Sequence, residues 1–482
     1  MPDNRQYYLG KGKLAIYGLM FTFWLLGFYP FFVQLNSYEL FEIIDGRVSL
    51  FFEGAYIIAG LMLLRDWRDK AVVLSFMIMS FISTVIVNEN QINDWISGLR
   101  FYCPLLFLLP ILRYAMSTLA RREFFIELMD RSLYIFLWAQ APCMLFQYYV
   151  YGGWDYGGGS LGFYQSGVIS ELIFTVSFYL MLRRWQPEHG YFWNLLRNWL
   201  LLFLLFPTFL NETKASFIFL VLYFLFLAPI NRKFLRSMLI VVPLIAGAIF
   251  VFNYFYMSLY GQRTETGEEI LSEDYFNFYV IGDDSSLDLM ELAYENSDAD
   301  EDVDFQRGLK WAALPWLMED KGDTAGVWFW GNGTGILKGH GDENPSEMGA
   351  EYKWLFQGTL MTLEMLILEC GIWGVIWLIL AMTVLFRTGK HTGRQRQLTC
   401  YLIGLLAAVL FYNTSMNIIF FCLIFYYLAF LADNWDFVRN LRNIDPYGSI
   451  WTMGGLFTNV RLHTASPASE CEPATTLCKS ES

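Results

Sequence analysis

Three pieces of one segment decide how this chain is read. They are Phe305-Gln306-Arg307-Gly308-Leu309-Lys310-Trp311, then Trp330-Gly331-Asn332-Gly333-Thr334-Gly335, then Glu369-Cys370-Gly371-Ile372-Trp373-Gly374. The last lies in an apolar run, residues 356–386, long enough to cross a hydrocarbon core of about 30 Å. An isolated arginine opens the segment, a glycine-rich turn follows, and a membrane helix with two embedded carboxylates, Glu364 and Glu369, closes it.

Outward from this segment, composition sets the class. Of 482 residues, 55% are hydrophobic, 19% aromatic and only 16% charged, with a mean hydropathy of +0.36. Soluble domains are less apolar and carry about 25% charged residues. Apolar runs of spanning length recur at residues 14–35, 50–64, 71–87, 99–116, 132–151, 161–182, 195–210, 215–230, 238–257, 356–386, 398–412 and 416–431. The expected fold is an all-α, polytopic integral membrane protein of about twelve transmembrane helices, with a large extracytoplasmic loop containing short helices. The organisation expected is helices 1–9 over residues 1–257, an acidic loop over 258–355, helices 10–12 over 356–432, and a largely disordered cytoplasmic tail over 433–482. Lys11 and Lys13 precede an apolar run too long for a signal-peptide core, so no cleavable signal is expected.

Charge gives the orientation. The net charge of −13 is concentrated in the insert, where acidic residues outnumber basic ones between three and four to one. Such an acidic element excludes nucleic acid as a partner, because phosphate backbones require Lys/Arg clusters. Alternate loops collect the basic residues: Arg65, Arg68 and Lys70; Arg113, Arg121, Arg122 and Arg131; Arg183, Arg184 and Arg197; Arg232, Lys233 and Arg236; Arg387, Lys390, Arg394 and Arg396. The remaining loops are nearly bare of them. Both termini are then cytoplasmic and the insert lies outside.

Basic residues that break this rule become candidates. Arg100, Lys214, Arg263 and Arg307 fall on the outer side, where a cation suits an anionic lipid-linked group; surface charge or headgroup anchoring is the plainer reading. His340 is the single external histidine among the four in the chain. Glu171, Glu364 and Glu369 lie within apolar runs, where an ionisable group is functional or paired. Glu364 and Glu369 are separated by about 140° around their helix. Residues 261–304 read as a mobile flap or a partly disordered segment. From Asp304, a possible N-cap, the spacing of Phe305, Leu309, Ala312, Ala313 and Trp316 predicts an amphipathic helix lying on the membrane. No Cys/His spacing indicates a metal, and the glycine-rich turns lack the Gly-Lys-Ser/Thr of a nucleotide loop.

The pattern resembles the superfamily of O-antigen ligases and Wzy-type polysaccharide polymerases, membrane glycosyltransferases acting on undecaprenyl-diphosphate-linked sugars. Arg307, Gly331 with Gly333, and Glu369 with Gly371 and Gly374 match its carboxy-terminal pattern in order. Gly159-Ser160-Leu161-Gly162-Phe163-Tyr164 is similar to its glycine-rich segment before a mid-chain helix. Thr213-Lys214-Ala215-Ser216 is similar to its Ser-Arg element, with lysine in place of arginine. The ligases carry a His-Asn pair shortly before the Glu-x-Gly-x-x-Gly helix, and residues 356–363 contain no histidine. That departure favours a polymerase over a ligase and leaves the base open between His340 and Glu364.

The resemblance implies metal-independent, inverting glycosyl transfer at the outer face of the bacterial inner membrane, without a cofactor. The donor would be an oligosaccharide on undecaprenyl diphosphate and the acceptor a sugar hydroxyl. Arg307 and Lys214, with Arg263 and Arg100 behind them, would hold the diphosphate. His340 or Glu364 would be the base, and Arg307 would also belong to the catalytic set. Membrane lipids, a chain-length regulator and a flippase complete the expected partners. Ligase-type transfer to another acceptor, a flippase or transporter, and a membrane scaffold with a sensory loop are the alternatives.

Overall fold

A computed structural model describes residues 12–35, 38–152, 156–186, 188–211, 213, 215–229, 234–260, 307–319, 324–336, 360–386 and 393–441. Every regular element among the described residues is helical. They are α1 (Gly12–Gln34), α2 (Tyr38–Leu63), α3 (Trp67–Phe81), a π-helical turn (Ile82–Val87), α4 (Ile92–Phe101), α5 (Cys103–Ala115), α6 (Leu119–Tyr151), α7 (Ser166–Arg184), α8 (Tyr191–Arg197) and α9 (Trp199–Phe203). There follow α10 (Ser216–Leu227), α11 (Phe234–Tyr260), α12 (Arg307–Glu319), α13 (Thr324–Trp330), α14 (Thr362–Leu385), α15 (Gly393–Tyr412), α16 (Ile419–Asp433) and α17 (Trp435–Asn440).

Among the described residues, six helices are long and apolar enough to span a membrane, or eight if each of two bent pairs counts as one span. Each of the twelve expected runs contains helix, but some cannot cross alone. α10 and α16 have 12 and 15 residues, about 18 and 22 Å at 1.5 Å per residue. The bends have local causes. α4 and α5 meet at 55° beside Pro104, which has no N–H with which to continue the ladder. α8 and the following segment meet at 74° around Asn198, whose side-chain amide donates to the Asn194 carbonyl at 2.9 Å.

One continuous apolar core runs through the bundle, rich in aromatic residues such as Phe23, Phe76, Phe107, Tyr179 and Tyr427. A second, smaller core joins α12, α13 and the first half of α14 through Ala313, Leu314, Leu317, Met318, Val327, Ile336 and Leu368. The expected surface helix is thus packed against protein. Its buried face is Lys310, Ala313, Leu314, Leu317 and Met318, one stripe at helical spacing, so the face that turns inward carries a lysine. The helix begins at Arg307; Asp304 lies outside the described residues, as do the 261–304 segment and the tail after Leu441.

One end of the bundle is fastened by basic and amide side chains. Arg113 pairs with Asp69 and donates to the Val384 carbonyl at 3.1 Å. Arg183 pairs with Asp130 at 3.5 Å and donates to the Val438 carbonyl. Asp130 also accepts from the hydroxyls of Tyr179 and Tyr427, at 2.6 and 2.8 Å. Arg394 donates to the Leu182 and Trp185 carbonyls, and Gln397 to those of Leu227 and Ala228. These side chains donate to carbonyls at the C-terminal ends of helices, where the regular run of backbone donors stops.

Candidate functional site

The opposite end begins with two glycine-rich turns that plug the bundle. Gly159–Leu161 forms a 3₁₀ turn, wholly buried. Gln147 exchanges two hydrogen bonds with Gly159, at 2.7 and 2.9 Å, and Gln140 exchanges two with Ser160, both at 2.9 Å. Gln140 is eleven residues before Tyr151, the end of α6, so the turn reaches roughly 16 Å into the bundle. The segment before α7 is therefore re-entrant.

The second plug is Gly331–Gly335, and it explains a break in α14. Gly371, at φ 62° and ψ −158°, is not helical, so carbonyls in the preceding turn lose their helical donors. The plug replaces them: Asn332 N–H donates to Leu368 O and Gly333 N–H to Glu369 O, both at 2.9 Å. Gly335 N–H donates to the Glu369 carboxylate at 3.0 Å. The π-helical turn and the residues after it hold the plug from the other side. Ser83 Oγ donates to Trp330 O at 2.6 Å, Asn88 to Gly331 O at 3.0 Å and Asn90 to Asn332 O at 2.8 Å. A Cβ on Gly371 would stand 2.5 Å from Phe329 O, and one on Gly331 2.5 Å from Glu369 O. Two backbones touch here, and both positions have positive φ. Glu369, one of the two embedded carboxylates, is a strut of this joint.

Around the plugs, several helix ends converge. Thr362, first residue of α14, donates through both N–H and Oγ to Asn413 O at 2.9 Å. Asn413 donates to the Glu171 carboxylate of α7 at 2.7 Å. Asn211 donates to Ser170 Oγ at 2.7 Å and Ser166 O at 3.0 Å. Asn417 donates to the Phe101 carbonyl at 3.3 Å, which brings in the segment of Arg100. Trp311 of α12 packs on Phe411 with ring centres 5.5 Å apart. Buried atoms here lack hydrogen-bond partners: Asn211 Oδ1, Thr213 Oγ1, Ser216 Oγ, Ser415 Oγ and both oxygens of Glu364. Buried polar groups are nearly always satisfied, so this concentration sets the region apart from the rest of the bundle.

The sequence matches no known family model and no curated protein.

The candidate residues fall unevenly on this frame. Glu364 is 1% exposed at the third position of α14, a site that favours a carboxylate through the helix dipole. The N–H of Met361, the N-cap, acts on it without meeting the geometry of a hydrogen bond. Lys310 is fully buried on α12, in the core that this helix shares with α13 and α14. Arg307 is the first residue of that helix, one turn before Lys310. Arg100 is ion-paired with Glu53 at 2.8 Å and remains 40% exposed, so part of its guanidinium is committed. Lys214, Arg263 and His340 lie outside the described residues. Lys310 was passed over in the sequence although it stands three residues after Arg307; its signal was a charge in register with Ala313, Leu314 and Leu317.

Proposed function

We propose that this protein is a polymerase of lipid-linked polysaccharide repeat units, an inverting glycosyltransferase of the inner membrane. In this reading about twelve helices cross the membrane, both termini are cytoplasmic, and the glycine-plugged end faces outward. The observation that carries it is the packing of α12, which begins at Arg307 and buries Lys310, against α14, the helix of the buried Glu364, at an end that holds buried polar atoms without partners. A lipid diphosphate leaving group requires cations to stabilise its growing charge, and the attacking hydroxyl requires a base. Arg307 and Lys214, with Arg263 and Arg100, are assigned to the diphosphate. Glu364 is assigned as base, with His340 the other candidate. As the acceptor oxygen bonds to C1, its proton passes to the base. The C1–O bond to phosphate breaks with its electron pair leaving on the diphosphate.

A transporter of the same lipid-linked sugars would also use a broken membrane helix, whose open ends hold the cargo. In α14 those ends are occupied by Asn332 and Gly333, which favours chemistry over transport.

The test is Arg307→Lys in proteoliposomes supplied with undecaprenyl-diphosphate-linked repeats. The charge stays but the bidentate fork is lost, so most polymer should disappear while single lipid-linked repeats accumulate at normal protein levels. Normal polymer from Arg307→Lys and Arg307→Ala would remove Arg307 from the site. Orientation is checked separately with single cysteines: positions in 261–304 should react from outside, and Arg121→Cys only after permeabilisation.

A further inference from the structure

We infer that Tyr151, Tyr156 and Tyr164 form a stacking platform for sugar rings of the lipid-linked glycan, beside the first glycine plug. The inference rests on the reading of the protein as a polysaccharide polymerase and adds a binding surface to it. Phe163 is the buried hub of the platform. The rings of Tyr151 and Tyr156 meet it edge-on, with centres 4.8 and 5.3 Å away, and Tyr164 lies 6.0 Å from Tyr156. The hub is held in place, because its N–H donates to the buried Gln34 of α1 and the turn before it is fixed by Gln140 and Gln147. The three tyrosines stay partly exposed, Tyr164 most of all at 57%. Its backbone carries the argument. Tyr164 has φ 60°, in the left-handed region that a bulky side chain seldom enters. At the other positive-φ positions described in this segment stand glycines, Gly152, Gly159 and Gly162. The tyrosine at the fourth is kept against backbone preference, and its exposed ring is not kept to fill the core. A residue that only anchors the protein at the membrane surface needs no such conformation. Strain held for an exposed aromatic points to a ligand for its face. A sugar ring suits that face, since its axial C–H bonds present an apolar side to the electron-rich phenol ring, whose hydroxyl can reach sugar hydroxyls. The platform adjoins the candidate site at both ends. A Cβ on Gly157 would stand 3.0 Å from Asn211, and Asn211 donates to the carbonyl of Ser166, two residues after Tyr164.

Replacing Tyr156 or Tyr164 by p-benzoylphenylalanine keeps an aromatic ring and makes it photoreactive. The probe is undecaprenyl-diphosphate-linked repeats, tritiated in the sugar, supplied to the full-length protein in proteoliposomes. Illumination should attach sugar label at both positions, and excess delipidated oligosaccharide should suppress it. The same replacement of Phe250, exposed on α11, should capture phospholipid only. Phospholipid alone at Tyr156 and Tyr164 would make these tyrosines membrane-surface anchors and overturn the inference. A second measurement uses Tyr164→Gly, which removes the ring and suits the left-handed backbone. Its melting midpoint should not fall, while KM for the lipid-linked repeat rises roughly 2- to 10-fold, the scale of one aromatic contact. The loss should appear in KM rather than in kcat, as for a binding contact made equally in ground and transition states. A lower midpoint with unchanged KM would make the ring structural and overturn the inference as well. The two readings fail separately. Polymer without sugar capture removes the platform alone, and capture without polymer removes the proposed activity alone.

Discussion

The two ends of the bundle use polar groups in opposite ways. At the arginine-rich end, charged and amide side chains close on one another and on helix-terminal carbonyls, as in the set of Asp130, Arg183, Tyr179, Tyr427 and Val438 O. Among the described residues there, only Arg131 Nε and Thr399 Oγ1 are buried without a partner. At the glycine-plugged end, backbone departs from helix at Gly159 and Gly371, and Asn211, Thr213, Ser216, Ser415 and Glu364 keep atoms unmatched. Satisfied buried networks fix a structure, whereas partly satisfied ones cost stability and persist where function needs them. The first end is a satisfied frame; the second keeps buried polar atoms unmatched.

The contrast can be broken by experiment. Asp130→Ala should have the largest effect, because it leaves Arg183 buried with its charge uncompensated, a loss of about 3–5 kcal/mol. Thermal unfolding of the detergent-solubilised protein checks it; wild-type melting would mean that this end is not the frame. Gly371→Ala should cost about 2–4 kcal/mol, from positive φ and from overpacking against the Phe329 carbonyl. Melting measures that too, and an unchanged midpoint would show that the joint between plug and α14 can yield. Thr213→Val and Ser415→Ala sharpen the comparison from the other side. Each removes a buried hydroxyl that has no partner, so stability should stay within about 0.5 kcal/mol of wild type. Polymer yield should fall all the same; a large stability loss would place these hydroxyls in the frame.

Much of the frame was legible in the chain. Apolar runs and alternating basic loops depend on composition alone, because a membrane helix satisfies its own backbone and needs only apolar side chains around it. The glycine-rich turns were visible as breaks, and Gly-x-Gly with Glu-x-Gly-x-x-Gly stood out as paired motifs. Their meaning was not visible. Whether Gly331–Gly335 cradles a substrate or plugs a helix depends on what lies opposite it. Ser83, Asn88 and Asn90 are some 240 residues away in sequence.

The same limit separates the two embedded carboxylates. By sequence alone, Glu364 and Glu369 were two acids near the outer end of one apolar helix, and Lys310 was an unremarked charge on a helix expected to lie on the membrane. Tertiary structure turned α12 so that Lys310 faces the core, gave Glu369 to the backbone of the plug, and left Glu364 buried with no hydrogen bond to its carboxylate. Hydropathy along a chain measures the preference of each residue for water or lipid, and that fixes which segments become membrane helices. It carries no information on how a helix is rotated about its axis. That rotation is set by which ridges meet which grooves once the helices pack, and it decided which of the two carboxylates is hydrogen-bonded to the plug and which has no hydrogen bond.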